Sequence, residues 1–375
     1  MKYRKITALL LAVILMLGAF SACGNSEEEE NSGDVSAQQP AISGETVVAT
    51  AAGKDITWGQ VCYWMFYQMS EYYNQYSTTP NLSVEISEGY TYGDFMLETA
   101  VDRMVRFRAI EKYAEDNGIE LVTADTAGVD EYVKNMIERY GSEEAYEQAA
   151  ARMNTTTADV RLIQELSVLS QRVYKTLYGP EGDKLPEDAL ADYAETNGFV
   201  MAKIILFLKI DETGTALEED AIAAAKAGAE SVVEELTAWE NGASGDYATE
   251  EELFTALMND LSEDTGLEYF PDGYIIGPED LSPDLYDAVA ALEEGQVSGV
   301  VETDTCFAVA MRIPFDYDIT PYCYKSYAAY GYDYSFRQLA ASSLYEEQVQ
   351  GWIEDAAVEK LPVLAEVDAA AYFSN

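Results

Sequence analysis

The sequence contains no histidine, and only 4 of its 375 residues are cysteines. The absence of histidine excludes Ser-His-Asp hydrolases, HExxH metalloproteases and Cys/His zinc sites, because each of these needs an imidazole. Cys62, Cys306 and Cys323 are too few and too widely spaced for a disulfide framework. We expect these three to be small buried apolar residues, although their number leaves one disulfide open.

Basic residues are scarce, since 22 Lys and Arg stand against 68 Asp and Glu, for a net charge of −46. Such a surface repels nucleic acid and anionic lipid, so neither is an expected partner. The charge either favours basic partner proteins or serves solubility. The sequence has no Walker loop, no GxGxxG turn and no EF-hand spacing of carboxylates, so we expect no cofactor and no metal site.

The first 22 residues have the pattern of an export signal. Three basic side chains within residues 2–5 precede an apolar run at residues 6–20, which is short for a permanent membrane span. Ser-Ala-Cys at residues 21–23 resembles the lipobox that lipoprotein signal peptidase cleaves, with Phe20 where Leu is usual. We predict a signal peptide over residues 1–22 and a lipid on Cys23 that holds the chain outside a cell membrane. An ordinary secretory signal cleaved nearby is the alternative.

Residues 23–45 contain four consecutive Glu and are rich in Ser, Gly, Gln and Pro. A stretch with so little to bury stays disordered, so we predict a tether between the lipid and the folded body. No second apolar run of spanning length follows. The remaining chain is long enough for two domains.

The two ends of the body have helical patterns. Residues 46–180 are predicted to be mostly helical, with Thr57 as an N-cap and Gly118 as a helix stop. Residues 325–375 are predicted to form a C-terminal helix that runs to residue 360. This helix carries an apolar stripe that must bury against something, and the first segment is its best partner. The stripe consists of Tyr345, Val349, Trp352, Ile353 and Ala356.

The middle segment, residues 185–315, has a different pattern. Residues 201–210 (MAKIILFLKI) form the first convincing strand of the chain. Three helices and two closing strands are predicted after it, at residues 218–239, 250–261, 284–292, 297–301 and 307–313. This order predicts helices packed on an antiparallel sheet. The predicted fold class is therefore α+β, with this α/β unit inserted into a helical domain built from the N- and C-terminal segments.

Three stretches of the body carry a family resemblance. Residues 48–57 (VATAAGKDIT) have the form of an opening strand and turn, and residues 254–264 (FTALMNDLSED) that of a helix with a Ser-x-Asp end. Residues 281–303 contain the most specific pieces, LSPDLYDA, LEEGQVS and VVET. Together these stretches resemble the PrsA/SurA-type exported foldases, in which a parvulin-type prolyl isomerase domain lies between helical chaperone segments. The resemblance covers nearly all of the chain after the signal peptide.

The resemblance implies a foldase or chaperone for unfolded or partly folded exported proteins, without a cofactor. The two histidines of the family's isomerase site correspond to Ile204 and Ala308, so both are lost. Asp264 matches a position held by Cys or Asp in active members. Leu281 and Leu285 match the pair that lines the proline pocket, while the family's Gly-rich loop is poorly preserved at residues 270–274.

Each of these residues can also have a purely structural role. In that interpretation Asp264 is a solvated carboxylate at a helix end, and Leu281 and Leu285 are core residues. The aromatic runs at residues 63–67 and 322–334 are either surface for unfolded chains or core aromatics at helical spacing.

Three functions remain open from the sequence. The first is an anchored chaperone whose isomerase module is weak or inactive, and the second is a working isomerase with a histidine-free site around Asp264. The third, more distant, is a non-chaperone lipoprotein of surface assembly or solute binding. Turnover of a proline peptide separates the first two, and suppression of aggregation separates the first from the third. The clients and the oligomeric state stay open.

Replacement of Cys23 by Ser should release the mature protein from the membrane fraction, because the thiol that carries the predicted lipid is lost. Cell fractionation and mass spectrometry of the N-terminal peptide measure this, with Cys62→Ser as the control. The lipoprotein interpretation is wrong if Cys23→Ser stays membrane-bound and the wild-type chain carries no diacylglyceryl group.

Overall fold

The computed structural model describes residues 42–242, 247–322 and 334–373. Cys23 and Cys323 lie outside the described residues, as do the predicted signal peptide and most of the predicted tether. The tether was predicted to reach residue 45, and this boundary is wrong by four residues. The carbonyl of Gly44 accepts a hydrogen bond from the amide of Gly59, and Ile42 packs against the core.

The helices are α1 (Trp58–Tyr76), α2 (Tyr92–Asp116), α3 (Thr123–Tyr140), α4 (Glu143–Arg152), α5 (Thr157–Tyr178), α6 (Glu187–Thr196), α7 (Glu219–Glu240), α8 (Glu250–Leu261), α9 (Pro283–Ala290), α10 (Phe336–Glu354), α11 (Pro362–Ala365) and α12 (Ala369–Phe373). The strands are β1 (Val47–Ala51), β2 (Lys54–Thr57), β3 (Glu85–Ser87), β4 (Tyr90–Thr91), β5 (Val200–Leu208), β6 (Tyr274–Ile276), β7 (Val301–Glu302), β8 (Cys306–Arg312) and β9 (Glu359–Lys360).

The chain divides into two compact units. Unit 1 consists of Met1–Leu177 and Tyr345–Asn375, and unit 2 is Tyr178–Leu344. The mixture of helix and antiparallel sheet agrees with the predicted α+β class. The chain has buried, unpaired cysteines in both units, Cys62 and Cys306, as expected for small apolar core residues.

Unit 1 is mainly helical. Helix α1 begins as predicted at Thr57, whose hydroxyl accepts from the Gln60 amide while the Gln60 side chain accepts from the Thr57 amide. The apolar faces of α1 and α2 bury a core against β1. The predicted stripe of α10 joins this core within the unit, since Trp352 stacks on Tyr113 with ring centroids 3.9 Å apart.

The C-terminal part of unit 1 differs from the prediction. The helix expected to reach residue 360 ends at Glu354, and β9 pairs with β1, with Ala49 opposite Lys360. Ala356 is buried, but its carbonyl accepts from the Ala52 amide instead of continuing the helix. Ala357 has a φ of +47°, a left-handed conformation that no α-helix continues through.

The aromatic run at residues 63–67 belongs to the core of unit 1. Trp64 and Tyr67 are buried, and Arg103 lies over the Trp64 ring at 4.8 Å from its centroid. The interpretation of this run as client-binding surface is therefore wrong. In the second run, residues 323–333 lie outside the described residues.

Unit 2 is built on an antiparallel sheet of order β6-β5-β8-β7. The predicted central strand and the helices that follow it are present within a few residues of their expected bounds, but β6 was not predicted. One face of the sheet carries α7 and α8, which pack on side chains such as Ile205 and Phe207. Period-two alternation sends the neighbouring residues of β5 to the opposite face.

Among the residues that the structure describes, no helix has both the length and the apolar character needed to cross a membrane.

Deletion of unit 2, with Leu177 joined to Tyr345 through a short Gly/Ser linker, should leave a cooperatively folded helical protein. The ends are already close, because the rings of Tyr174 and Tyr345 lie 5.3 Å apart within unit 1. Circular dichroism during thermal unfolding measures this.

The matched truncation ends at Leu177, and it should lose the cooperative transition because it lacks the α10 stripe and β9. If the truncated chain unfolds at the same temperature as the joined chain, the C-terminal segment is not needed by unit 1.

Candidate functional site

The candidate site is the face of the unit 2 sheet that lies opposite α7 and α8. Strand β5 directs Ala202 and Ile204 to this face, and β8 directs Ala308 and Ala310 to it. Helix α9 covers part of the face through Leu285. The result is an apolar cluster that we call the β5–β8 cluster, made of the buried residues Val200, Ala202, Ile204, Phe270, Tyr274, Ile276, Leu285, Val289, Cys306, Ala308 and Ala310.

Ile204 and Ala308 lie on neighbouring strands of this face. Ile204 is paired with Ala310 and Leu206 with Ala308, so Ile204 and Ala308 are diagonal neighbours, roughly 7–8 Å apart. Their exposed fractions are 3% and 0%. The two positions that the sequence resemblance compares with the family's histidines are thus occupied by apolar groups inside a cluster of buried residues.

Leu281 and Leu285 reach the same cluster from α9 and the turn before it. Leu285 is buried in the cluster, and Leu281 packs against it while half-buried. The hydroxyl of Tyr286 donates to the Gly198 carbonyl at 2.6 Å and holds α9 on the sheet. The structure therefore brings together four of the five site residues predicted in this unit as one apolar group.

Asp264, the fifth residue, is positioned by the edge of β5. Strand β6 pairs only with residues 200–202 of β5, which leaves the edge of residues 206–208 for other partners. The Leu206 amide donates to the Ser262 hydroxyl at 3.0 Å, and the Leu206 carbonyl accepts from the Glu263 amide at 2.9 Å. These bonds fix the turn after α8 beside the sheet and place Asp264 at its end.

The Asp264 carboxylate is engaged on both oxygens. Oδ1 accepts from the Gly266 amide at 2.7 Å and so caps the 3-10 turn Thr265–Glu268, while Oδ2 accepts from the Tyr274 hydroxyl at 2.5 Å. Burial raises the pKa of Tyr274 well above its usual value, and the hydrogen bond to Asp264 raises it further. Tyr274 therefore remains a neutral donor at physiological pH.

Gly266 makes this pair possible. A Cβ at position 266 would lie 2.6 Å from the Tyr274 hydroxyl and 3.0 Å from Asp264 Oδ1. Any side chain there pushes the two partners apart, so the glycine is needed for close approach.

Tyr274 and its neighbour Phe270 were not predicted as site residues by the sequence analysis. The Tyr274 ring lies 5.1 Å from that of Phe270 and 5.7 Å from that of Tyr322, the first residue of the second aromatic run, so the three rings form an aromatic edge of the cluster. The sequence did contain a signal for this strand, the β-prone run Tyr-Ile-Ile directly after Gly273. It was not used because residues 270–274 were compared only with the family's Gly-rich loop.

The chemistry open to this site is narrow. It provides an apolar surface and one carboxylate–phenol pair. In the described parts of the chain, no group of three His, Cys, Asp or Glu is placed to hold a metal ion. A surface cavity of about 520 Å³ in the same unit is lined by Glu181, Asp183, Asp318, Ser335, Arg337 and Gln338, and none of the predicted site residues lines it.

Comparison with known proteins gives matches among solved structures alone, since no family model and no curated protein matches the chain. Foldase protein PrsA from Streptococcus pneumoniae is 15% identical and covers 87% of this chain and 98% of its own, with a TM-score of 0.23. PrsA from Lactococcus lactis is 13% identical over 88% of this chain and 99% of its own, with a TM-score of 0.29. A SurA-like chaperone of Campylobacter jejuni is 11% identical over 84% and 99%, with a TM-score of 0.21.

Many of the matching structures are thus PrsA- or SurA-like foldases, the family that the sequence motifs resemble.

Asp264→Ala should lower the stability of unit 2. The change removes a cap, at about 1 kcal/mol, and a hydrogen bond to a charged acceptor, at about 1.5–3 kcal/mol. We expect a loss of roughly 2.5–4 kcal/mol by these values, which is measured as faster hydrogen–deuterium exchange in peptides from β5 and β8.

Asp260→Ala is the control, because Asp260 is an exposed carboxylate one turn earlier on α8. Equal exchange in Asp264→Ala and Asp260→Ala would show that Asp264 is merely solvated.

Proposed function

We propose that this chain is an extracytoplasmic foldase or chaperone for exported proteins, held at the membrane by a lipid on Cys23. Unit 2 is its parvulin-like part and contributes little or no prolyl isomerase activity. In this proposal unit 2 is inserted into a helical chaperone domain that the N- and C-terminal segments form together. The sequence motifs at residues 48–57, 254–264 and 281–303 support the family assignment.

One observation carries the proposal for unit 2, the burial of Ile204 and Ala308 inside the β5–β8 cluster. Rotation about an X–Pro bond has a barrier of about 18–20 kcal/mol, because resonance keeps the amide planar. An enzyme lowers this barrier only through contacts that are stronger to the twisted amide than to the planar one. Aliphatic groups at both positions offer no hydrogen bonds to a twisting amide.

The remaining groups do not replace those contacts. Leu281 and Leu285 provide apolar surface, which binds a proline ring equally well in both isomers. Uniform binding of this kind does not accelerate the reaction. Both carboxylate oxygens of Asp264 already accept hydrogen bonds within the protein, from the Gly266 amide and the Tyr274 hydroxyl. The carboxylate therefore has less capacity to accept a hydrogen bond from a substrate.

A second candidate is an active isomerase with a histidine-free site. The observation that favours it is the Asp264–Tyr274 pair, a polar couple at the rim of the β5–β8 cluster. A phenol held by a carboxylate is a defined donor, and preorganised donors are the usual source of transition-state stabilisation.

The first candidate predicts weak isomerisation by the soluble body, residues 24–375. The polar contacts that two histidines would make to the twisted amide are missing. If each contact lowers the barrier by about 1.4 kcal/mol, which is tenfold in rate, the isomerisation rate should be roughly 100-fold below that of a histidine-bearing parvulin. NMR exchange spectroscopy on a proline peptide measures the rate. Light scattering of an aggregating unfolded protein, recorded beside it, should show suppression that Asp264→Ala leaves unchanged.

The opposite result supports the second candidate. Fast isomerisation by the wild-type body that Asp264→Ala and Tyr274→Phe abolish, but Asp260→Ala does not, would overturn the weak-isomerase proposal. Absence of both isomerisation and aggregation suppression would overturn the foldase proposal as a whole.

A further inference from the structure

Exposed apolar side chains are concentrated in one part of unit 1. Of the ten large apolar residues that are exposed in the described chain, five lie between residues 73 and 95: Tyr73, Tyr76, Val84, Ile86 and Phe95. Single exposed apolar residues are ordinary on protein surfaces, but a contiguous group of them marks an interaction site.

Ring contacts connect two members of this group, Tyr76 and Phe95, through Tyr72 and Tyr92. The Tyr72 ring lies 4.7 Å from that of Tyr76 and 6.1 Å from that of Tyr92, and Tyr92 stacks on Phe95 at 6.1 Å. The Tyr92 amide donates to the Val84 carbonyl at 2.7 Å, which joins β3 to the start of α2. We call this surface the aromatic patch, and it consists of Tyr72, Tyr76, Val84, Ile86, Tyr92 and Phe95.

Strand β3 borders the patch and has a free edge. It pairs with β4 alone in a two-stranded sheet, so its other side has no neighbouring strand within the described residues. Such an edge presents backbone donors and acceptors that an extended peptide can pair with, while alternate side chains of the peptide face the patch.

The charge around the patch is mostly negative. Residues 55–102 contain seven Asp and Glu and no Lys or Arg, and Arg103, the next residue, is half-buried with its guanidinium 4.8 Å from the centre of the Trp64 ring. Glu71 precedes the first tyrosine of the patch, and Glu88 lies at the exposed tip of the β3–β4 turn. Lys360 is paired with Glu98 at 3.3 Å. The carboxylates therefore create a negative field that favours a cationic occupant.

We propose that the aromatic patch binds extended segments of unfolded proteins in which apolar residues stand next to Lys or Arg. The apolar residues contact the rings and Ile86, the peptide backbone adds to β3, and the basic side chains reach Glu71 and Glu88. This inference rests on the proposed chaperone function and names the surface and the sequence class that the chaperone selects.

The test uses the soluble body and three labelled dodecapeptides. The first alternates Leu or Phe with Lys, the second replaces Lys by Glu, and the third replaces the apolar residues by Ser. Fluorescence anisotropy should show binding of the first peptide, at least tenfold weaker binding of the second and third, and a loss of affinity with added salt.

Matched triple variants locate the binding site. Tyr76→Ala with Val84→Ala and Ile86→Ala removes one tyrosine and two aliphatic residues from the patch, and should weaken binding of the first peptide at least tenfold. The control variant, Tyr247→Ala with Val122→Ala and Val358→Ala, removes the same kinds of side chain outside the patch. It should change the affinity for the first peptide less than twofold. All six positions are at least 40% exposed, so both variants should fold.

Carboxylate variants test the charge part separately. Glu71→Gln with Glu88→Gln should weaken binding of the Lys peptide about threefold to tenfold and leave a peptide with Gln in place of Lys unaffected.

The outcomes separate this inference from the proposed function. If the body binds the first peptide and the patch variant binds it equally well, the chaperone proposal stands and the patch is not its site. If the body neither binds any peptide nor suppresses aggregation, the chaperone proposal itself fails. If the body is a dimer that the patch variant makes monomeric, the patch binds a second copy of the chain and the inference is wrong.

Discussion

The pairing of β5 with β8 is the constraint on which unit 2 depends. Its seven residue pairs run from Ala202 opposite Arg312 to Leu208 opposite Cys306 without a register shift. Because side chains alternate along a strand, this register sends Ile205 and Phe207 to α7 and α8 and sends Ile204 and Ala308 to the other face. A slip by one residue would exchange the two faces and bury Lys203 in the β5–β8 cluster.

The β5–β8 cluster surrounds Ile204 and Ala308 with apolar side chains. Ala202, Ala308 and Ala310 are small and fully buried, and Phe270 and Leu285 belong to the same buried cluster. A histidine introduced at position 308 would meet a site with no exposed surface, at a cost of about 1–3 kcal/mol for overpacking. The polar groups that remain, Asp264 and Tyr274, lie at the rim and satisfy each other.

The sequence predicted those elements whose signal is local. Helix α7 follows from an alanine-rich run, the N-cap at Thr57 from its place before an aromatic run, and β5 from a continuous apolar run. Strands β3, β4, β6 and β9 were not predicted, and the reasons for β6 and β9 differ. Strand β6 has three residues in a loop rich in Gly, Asp and Pro, too short for periodicity. Strand β9 reads Glu-Lys and exists only because β1 pairs with it. The helix that was expected to reach residue 360 stops early because this pairing outweighs the helix propensity of the alanines near residue 356.

Strand β9 also fixes the order in which the protein can complete its fold. Unit 2 is one continuous stretch of chain, so it has all of its own residues as soon as that stretch has been made. Unit 1 needs Leu361, whose amide donates to the Val48 carbonyl, and the buried Phe373. Because synthesis runs from the N-terminus, its N-terminal helices wait for a closing strand from the far end of the chain. During that interval unit 1 of the chain that we propose as a chaperone is itself incompletely folded.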